Sequence, residues 1–283
     1  MKAWLHLLRP SNWLKNFLIF IPLIFSFNVL RPEQVWLACQ AFLAFSAIAS
    51  TIYVVNDIVD CERDRQHPTK KHRPIAAGLI SPSRAVFAVL ILLLISMLIS
   101  INISPAFCLI IGGYFLLNLA YSLALKHVVL VDILIVASCY LLRVYAGAKA
   151  IGVPTTSWLL FITFFLALFI IAGKRYSELS HNYGSSRPVL AEYTTEFLST
   201  IMNMSATGVI VFYALYTSTK FYLFGYSIIF IIFLLFRILY WTQVKKTSEE
   251  PEKLFIKDKW LLVTIVLWGI TALITLYFPE LVS

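Results

Sequence analysis

The chain has 283 residues, 60% of them hydrophobic and only 13% charged, with a formal net charge of +9 and a mean hydropathy of +0.84. A soluble domain carries about a quarter of its residues as Asp, Glu, Lys and Arg, so this composition excludes one. The positive balance calls for no nucleic acid, because membrane proteins concentrate Lys and Arg in cytoplasmic loops facing anionic headgroups.

A helix needs roughly 20 residues to cross ~30 Å of hydrocarbon, so apolar runs of about 18 or more read as spans. Nine such runs occur, near 14–30, 35–56, 83–101, 105–122, 128–148, 154–172, 195–217, 221–241 and 259–279. They predict an all-α polytopic membrane bundle of nine transmembrane helices forming a single domain over 1–283. The first run lacks a small-residue cleavage site and is followed by eight more, so it reads as a span and not as a cleavable signal. With the amino terminus inside, eighteen Lys and Arg fall on the inside and three (Arg31, Lys149 and Lys220) outside. The positive-inside rule then puts its two long charged loops, 57–82 and 173–194, on the cytoplasmic face, and the cytoplasmic (inner) membrane is the expected location. The carboxyl-terminal inside loop, 242–258, mixes both signs around Pro251 and reads as a solvated linker. Cys39, Cys61, Cys108 and Cys139 are scattered without a CxxC, and no HExxH occurs, so neither disulfides nor zinc are expected.

The densest charge lies in "VVNDIVDCERDRQHPTKKHRPIAAG", residues 54–78, where the second span ends. Asn56, Asp57, Asp60 and Asp64 fall within an arc of roughly 100° on a continuous helix. Carboxylates stacked on one face repel unless a cation lies between them. Magnesium suits the role, because it binds through one or two carboxylates, keeps waters, and completes its shell with substrate phosphate. Arg63, Arg65, Lys70, Lys71 and Arg73 follow, with Pro68 and Pro74 extending the loop and Gly78 closing it. A metal ringed by Arg and Lys fits a diphosphate, and Arg73 is the side chain most readily assigned to the ligand.

Other polar residues sit where hydrocarbon is expected: Lys15 and Asn16 at the first span, Tyr121 and Lys126 at the end of the fourth, and Asp132 and Arg143 within the fifth. An ionisable residue at such depth is a site or a buried structural partner, and for Asp132 both readings stand. The second loop begins "GKRYSEL" and offers Lys174, Arg175 and Glu178; Lys174 and Glu178, four apart, also fit a plain helix salt bridge.

"NDIVDCERD" resembles the NDxxDxxxD motif of the intramembrane prenyltransferase (UbiA-type) superfamily, and "YSLALK" resembles its turn after the fourth span. Typical members carry a second aspartate-rich motif between spans six and seven. Here that loop, "GKRYSELSHNYGSSRPVLAEY", has no aspartate. Together "LRPSNWLKN", "DRQHPTKKHRPIAAG", "LLRVYAGA" and "GKRYSEL" resemble the decaprenyl-phosphate phosphoribosyltransferase branch. That resemblance implies transfer of 5-phosphoribose from phosphoribosyl diphosphate to a polyprenyl phosphate lipid, with Mg2+ as cofactor. Asp57, Asp60 and Asp64 are then the metal-holding catalytic residues. Arg73, Lys126, Lys174 and Arg175 bind phosphates, and the adjacent cations Lys174 and Arg175 suit the sugar's 5-phosphate. Asn56 and Tyr121 position the ribose or a metal water, while Lys15, Asn16 and Arg143 serve the substrates from the lipid side. Two other readings stay open: a prenyl diphosphate donor with an aromatic acceptor on the same fold, and a transporter or channel using Asp132 and Arg143. Chain length of the lipid and oligomeric state are not readable here.

Overall fold

The computed structural model of the chain describes residues 2–67, 70–181, 188–218, 222–246, 254 and 257–278. Pro68, Arg187, Lys220 and Pro251, which entered the loop and topology readings, lie outside those residues. Among the described residues every regular element is helical, as a chain in hydrocarbon must be if its backbone polar groups are to be satisfied internally. The residues group into two compact units, Met1–Leu123 with Leu142–Pro154 and Ala124–Leu141 with Thr155–Ser283.

The first unit opens with α1 (Lys2–Leu8), a 3-10 helix over Pro10–Phe20, and the short α2 (Ile21–Phe25). Pro10 and Pro22 sit in first turns, where a missing N–H costs nothing. The 3-10 helix rises about 2.0 Å per residue against 1.5 Å for an α-helix, so the 3-10 helix and α2 together reach roughly 30 Å. It then leads into α3 (Pro32–Val59), whose Ala38, Ala41, Ala44, Ser46, Ala47 and Ser50 are buried. Small side chains let backbones approach closely inside a membrane bundle. α5 (Pro82–Ile103), capped by the Ser81 hydroxyl accepting from the Arg84 N–H, packs on α3, and the Ser96 hydroxyl donates to the Ala44 carbonyl at 3.0 Å. Between them runs α4 (Cys61–Arg65), and after them α6 (Pro105–Leu123). The outer faces of α5 expose Phe87, Leu90, Leu94 and Leu98, the surface a bilayer covers. α7 (Val131–Ala150) contributes its part from Leu142 onward. There a side chain at Gly147 is impossible, since a Cβ would stand 2.0 Å from the Ile19 carbonyl oxygen.

The second unit holds the start of α7, α8 (Ser157–Ser180), α9 (Thr195–Ser218), α10 (Ile228–Leu239) and α11 (Lys259–Tyr277). Phe169, Leu198, Met202, Leu235 and Leu261 are buried in its core. Asp258 starts α11 by accepting from the Trp260 N–H and also receives Arg237 Nε and Trp241 Nε1. Burial pushes this carboxyl up, but the hydrogen bonds from Arg237 and Trp241 outweigh it and hold the group below its ordinary range.

Seven helical stretches among the described residues are long and apolar enough to cross a membrane: α3, α5 to α9, and Phe224–Val244. The two further spans expected correspond to a shorter apolar helix, Lys259–Thr275, and to the 10–25 stretch, which is not a regular α-helix. The described residues thus give seven full-length candidates, where the hydropathy pattern predicts nine.

Candidate active site

The acidic motif does not continue α3 as a single helix. Asp60 takes φ −88° and ψ 4°, ending α3 at Val59 and restarting the chain as α4. Asp57 and Asp64 nevertheless meet, because one guanidinium lies between them. Arg73 Nη1 stands 2.6 Å from Asp64 Oδ2 and 3.1 Å from Asp57 Oδ1. Both aspartates are only 2% exposed, so these are charge-assisted bonds away from water and among the strong ones. Asp60 is more open, with a quarter of its side chain accessible and Arg63 at 3.8 Å. Asn56, half-buried on α3, accepts the Asp60 N–H through its backbone carbonyl. Glu62 points elsewhere, into an exposed pair with Arg65.

Arg73 owes its place to a hydrophobic anchor. Ile75 and Ile80, after it, are buried with Leu7, Val54 and Cys61. The chain folds back at Gly78, whose φ of +72° favours glycine, and the Leu79 and Ile80 N–H groups both donate to the Pro74 carbonyl.

A second guanidinium, Arg9, was not singled out as a site residue by the sequence. Its Nη2 donates to Asp57 Oδ1 at 2.6 Å, and its guanidinium lies over the Tyr53 ring at 5.2 Å. Arg9 links α1 to the 3-10 helix in a left-handed conformation (φ 51°, ψ 59°), which costs an L-residue roughly 1–2 kcal/mol. The brace that holds it runs along α3. Trp13 Nε1 donates to the Ser50 hydroxyl, which donates to the Leu8 carbonyl, and Asn16 Nδ2 donates to the Ser46 hydroxyl. Ser46, Ser50, Tyr53 and Asp57 repeat at helical spacing, so one face of α3 receives the amino-terminal segment. That spacing was the available signal; the reach of Arg9 was not.

Asp57 Oδ2 has no partner, although it is buried. Among the described residues it is the only carboxylate oxygen in that state. Such an atom is costly unless something binds it. A cavity of about 370 Å³ opens beside it, lined by His6, Arg9, Ser11, Asp57, Lys70, His72, Arg73 and Pro74. The oxygen-only donor set of Asp57, Asp60 and Asp64 has the chemistry magnesium takes. The described residues do not by themselves converge as a group of three acidic, His or Cys ligands. They fit an ion held by one or two carboxylates and completed by a ligand's phosphate.

Asn16 and Arg143, expected to face a substrate, face each other. Arg143 Nε donates to Asn16 Oδ1 and its Nη2 to the Tyr114 hydroxyl, both at 2.8 Å, with Arg143 4% exposed. Burial without these partners would be prohibitive, so the pair helps close the unit. Lys15 on the 3-10 helix and Tyr121 on α6 are half-buried.

The second unit has its own charged cluster, of another kind. Arg175 is 2% exposed, with Nε at 3.3 Å from Asp132 Oδ2 and Nη1 at 3.2 Å from Glu178 Oε2. The Tyr193 hydroxyl donates to Asp132 Oδ1 and accepts the Leu130 N–H, each at 2.7 Å. Burial and the bond to Asp132 push the Tyr193 phenol well above its ordinary value, so it stays a donor. Leu130 needs the help, since its φ of +67° is rare for a branched residue. Arg175 thus gives two of its five N–H donors, on Nε and Nη1, to Asp132 and Glu178. Lys174 on α8 and Lys126, in the 3-10 turn Leu125–His127, are half-buried. Tyr193 carried no readable signal, because a tyrosine in a polar loop is unremarkable until Asp132 is found beneath it.

Comparison with known proteins gives a consistent picture. Residues 17–262 match the model of the UbiA prenyltransferase family. The decaprenyl-phosphate phosphoribosyltransferase of Mycobacterium tuberculosis is 35% identical over 274 residues, covering 92% of this chain and 90% of that protein. The enzyme of the same name from Mycolicibacterium smegmatis is 32% identical over 289 residues, covering 95% and 91%. Among solved structures, a UbiA homolog from Archaeoglobus fulgidus bound to DMAPP and Mg2+ aligns with a TM-score of 0.74 at 18% identity, over 98% of this chain and 99% of that one. At that identity the likeness is one of fold.

Proposed function

The chain belongs to the UbiA prenyltransferase family, and within it we propose that it transfers 5-phosphoribose from phosphoribosyl diphosphate to a polyprenyl phosphate, releasing diphosphate. The observation that carries this is the match, over nearly its whole length, to decaprenyl-phosphate phosphoribosyltransferases. The residues agree with it. The loop that in a prenyl-diphosphate enzyme would supply a second aspartate-rich motif has none here.

In the proposed reaction an oxygen of the acceptor phosphate attacks C1 of the ribose, and the C1–O bond to diphosphate breaks. The acceptor is already an anion, so no strong general base is required. Asp57, Asp60 and Asp64 are the proposed metal-holding residues, one or two of them binding Mg2+ directly, and the ion when bound would neutralise charge building on the leaving diphosphate. Arg9 and Arg73 keep Asp57 oriented and line the cavity where the diphosphate's remaining oxygens can be gripped. Asn56 and Tyr121 are proposed to position the ribose or a metal water. Lys15 is the cation of the first unit assigned to the acceptor's phosphate, and Lys126 and Lys174 keep phosphate-binding roles in the second.

The proposal includes nine crossings of the cytoplasmic (inner) membrane, with the active site facing the cytoplasm. The seven long helices, the shorter 259–275 helix and the 10–25 stretch support that count. Reporters fused after Arg65 and Arg187 are expected to read cytoplasmic and one after Ser283 outside; a cytoplasmic Ser283 would mean an even number of spans.

The activity is tested with purified protein, Mg2+, phosphoribosyl diphosphate and decaprenyl or undecaprenyl phosphate, following release of diphosphate and formation of lipid-linked phosphoribose. If that mixture stays inert while geranyl diphosphate and 4-hydroxybenzoate react, the protein is a prenyltransferase with an aromatic acceptor and the proposal fails.

A further inference from the structure

Resting on the phosphoribosyl-transfer reading, we propose that the first unit's cavity holds both ends of the donor, with the sugar's 5-phosphate bound by His6, Lys70 and His72. The charges of the lining lead to this. Arg9 and Arg73 are paired with Asp57, and Arg73 also with Asp64. The acidic wall is thereby balanced, with Asp57 Oδ2 buried and unpartnered. Besides Pro74, the remaining lining brings the Lys70 ammonium, the His6 and His72 imidazoles and the Ser11 hydroxyl, with no carboxylate besides Asp57. A wall of that kind calls for an anion with several acceptor oxygens, and a phosphate monoester dianion supplies three.

The volume agrees. A cavity of about 370 Å³ falls at the lower end of ligand sites, which run from roughly 300 to 1,000 Å³, and suits a compact sugar with phosphate at both ends better than a bare diphosphate. The two edges are also held to a common core. His6 precedes Leu7, and Lys70 and His72 precede Ile75; both Leu7 and Ile75 are buried in the same cluster with Val54 and Cys61. The turn carrying the second edge is closed by the Arg73 N–H donating to the Lys70 carbonyl at 2.9 Å. Such preorganisation reduces the entropy lost when a ligand is gripped. Arg175, by contrast, is buried with two of its donors on Asp132 and Glu178.

Three phosphate sources share this chemistry: the donor's 5-phosphate, its diphosphate and the lipid's phosphate. Steady-state kinetics on Lys70→Ala and His6→Ala, with ribose 5-phosphate and inorganic diphosphate as separate inhibitors, distinguish them. Each substitution is expected to raise the donor KM about tenfold or more, as loss of one charge-assisted contact does. Inhibition by ribose 5-phosphate should weaken by a similar factor, while inhibition by diphosphate changes much less. Lys70→Arg should restore most of the donor affinity. His6 lies on the exposed side of α1, so its variant serves if Lys70→Ala does not fold. Weakened diphosphate inhibition with ribose 5-phosphate untouched would overturn the assignment in favour of the leaving group. A shift confined to the acceptor's KM would overturn it in favour of the lipid. Wild-type protein that transfers no phosphoribose overturns the functional reading itself; transfer with unaltered ribose 5-phosphate inhibition in both variants overturns this assignment alone.

Discussion

Each unit buries aspartate against arginine, and the two clusters differ in what they leave over. In the second unit Asp132 has both oxygens bonded, one by Tyr193 and one by Arg175, whose other end meets Glu178. In the first, Asp57 shares one oxygen between Arg9 and Arg73 and keeps the other buried and unpartnered beside a cavity. A satisfied network fixes a structure; an unsatisfied one next to open volume marks where a ligand completes the bonding. Sequence alone ranks the two alike, since each places ionisable groups near apolar spans.

The largest effect is expected in the closed cluster. Asp132→Ala leaves Arg175 buried with one partner removed, a change that costs about 3–5 kcal/mol. The unfolding midpoint in detergent should drop steeply, while the folded fraction binds phosphoribosyl diphosphate within about twofold of wild type. Donor binding lost at unchanged stability would show that Asp132 belongs to a site after all.

Asp57→Asn should do the opposite. The amide oxygen can still accept from Arg9 and Arg73, so the fold is retained. Turnover should fall by more than about 100-fold, roughly 2.7 kcal/mol, as when a main stabiliser of developing charge is lost. Stabilisation of the protein by added Mg2+ in a thermal-shift assay should fall with it. Retained Mg2+ stabilisation would move the metal away from Asp57.

Tyr193→Phe removes a hydroxyl that serves both Leu130 and Asp132. Leaving buried groups without a partner costs about 1–3 kcal/mol. Leu130→Gly in that background should recover part of the loss, because glycine tolerates φ of +67° without strain. No recovery would mean that the left-handed turn is not what Tyr193 supports.

The smallest effect is expected at Glu62, whose side chain is 83% exposed in its pair with Arg65. Glu62→Gln should leave turnover within about twofold, as exposed pairs contribute little. Asp60→Asn, two residues earlier and with only a quarter of its side chain accessible, should cost far more. Equal losses at the two positions would remove the one-sided metal site.

Much of this was legible before any coordinates. Hydropathy located α3, α5 to α9 and the 224–244 stretch, because a membrane span needs only length and apolarity. The acidic motif and Arg73 were found by charge density, and their meeting depends on a short loop that sequence proximity makes foreseeable. What escaped depends on distant chain segments. Arg143 lies 127 residues from Asn16, and Tyr193 lies 61 from Asp132; no local pattern links either pair. Arg9 escaped for a different reason: its reach depends on a left-handed backbone, which an Arg before proline does not announce. The break at Asp60 was hidden too, since helical periodicity continues through it.

The central claim is that the first unit binds the phosphoribosyl donor while the buried cluster of the second unit holds structure. Equilibrium binding of phosphoribosyl diphosphate in the presence of Mg2+ tests it most directly, measured on detergent-solubilised wild type, Arg73→Ala and Tyr193→Phe. Arg73→Ala should weaken binding by about tenfold to over a hundredfold, the range for a lost charge-assisted contact, and Tyr193→Phe should bind as wild type despite its lower stability. Donor affinity that survives Arg73→Ala and collapses in folded Tyr193→Phe would contradict the account.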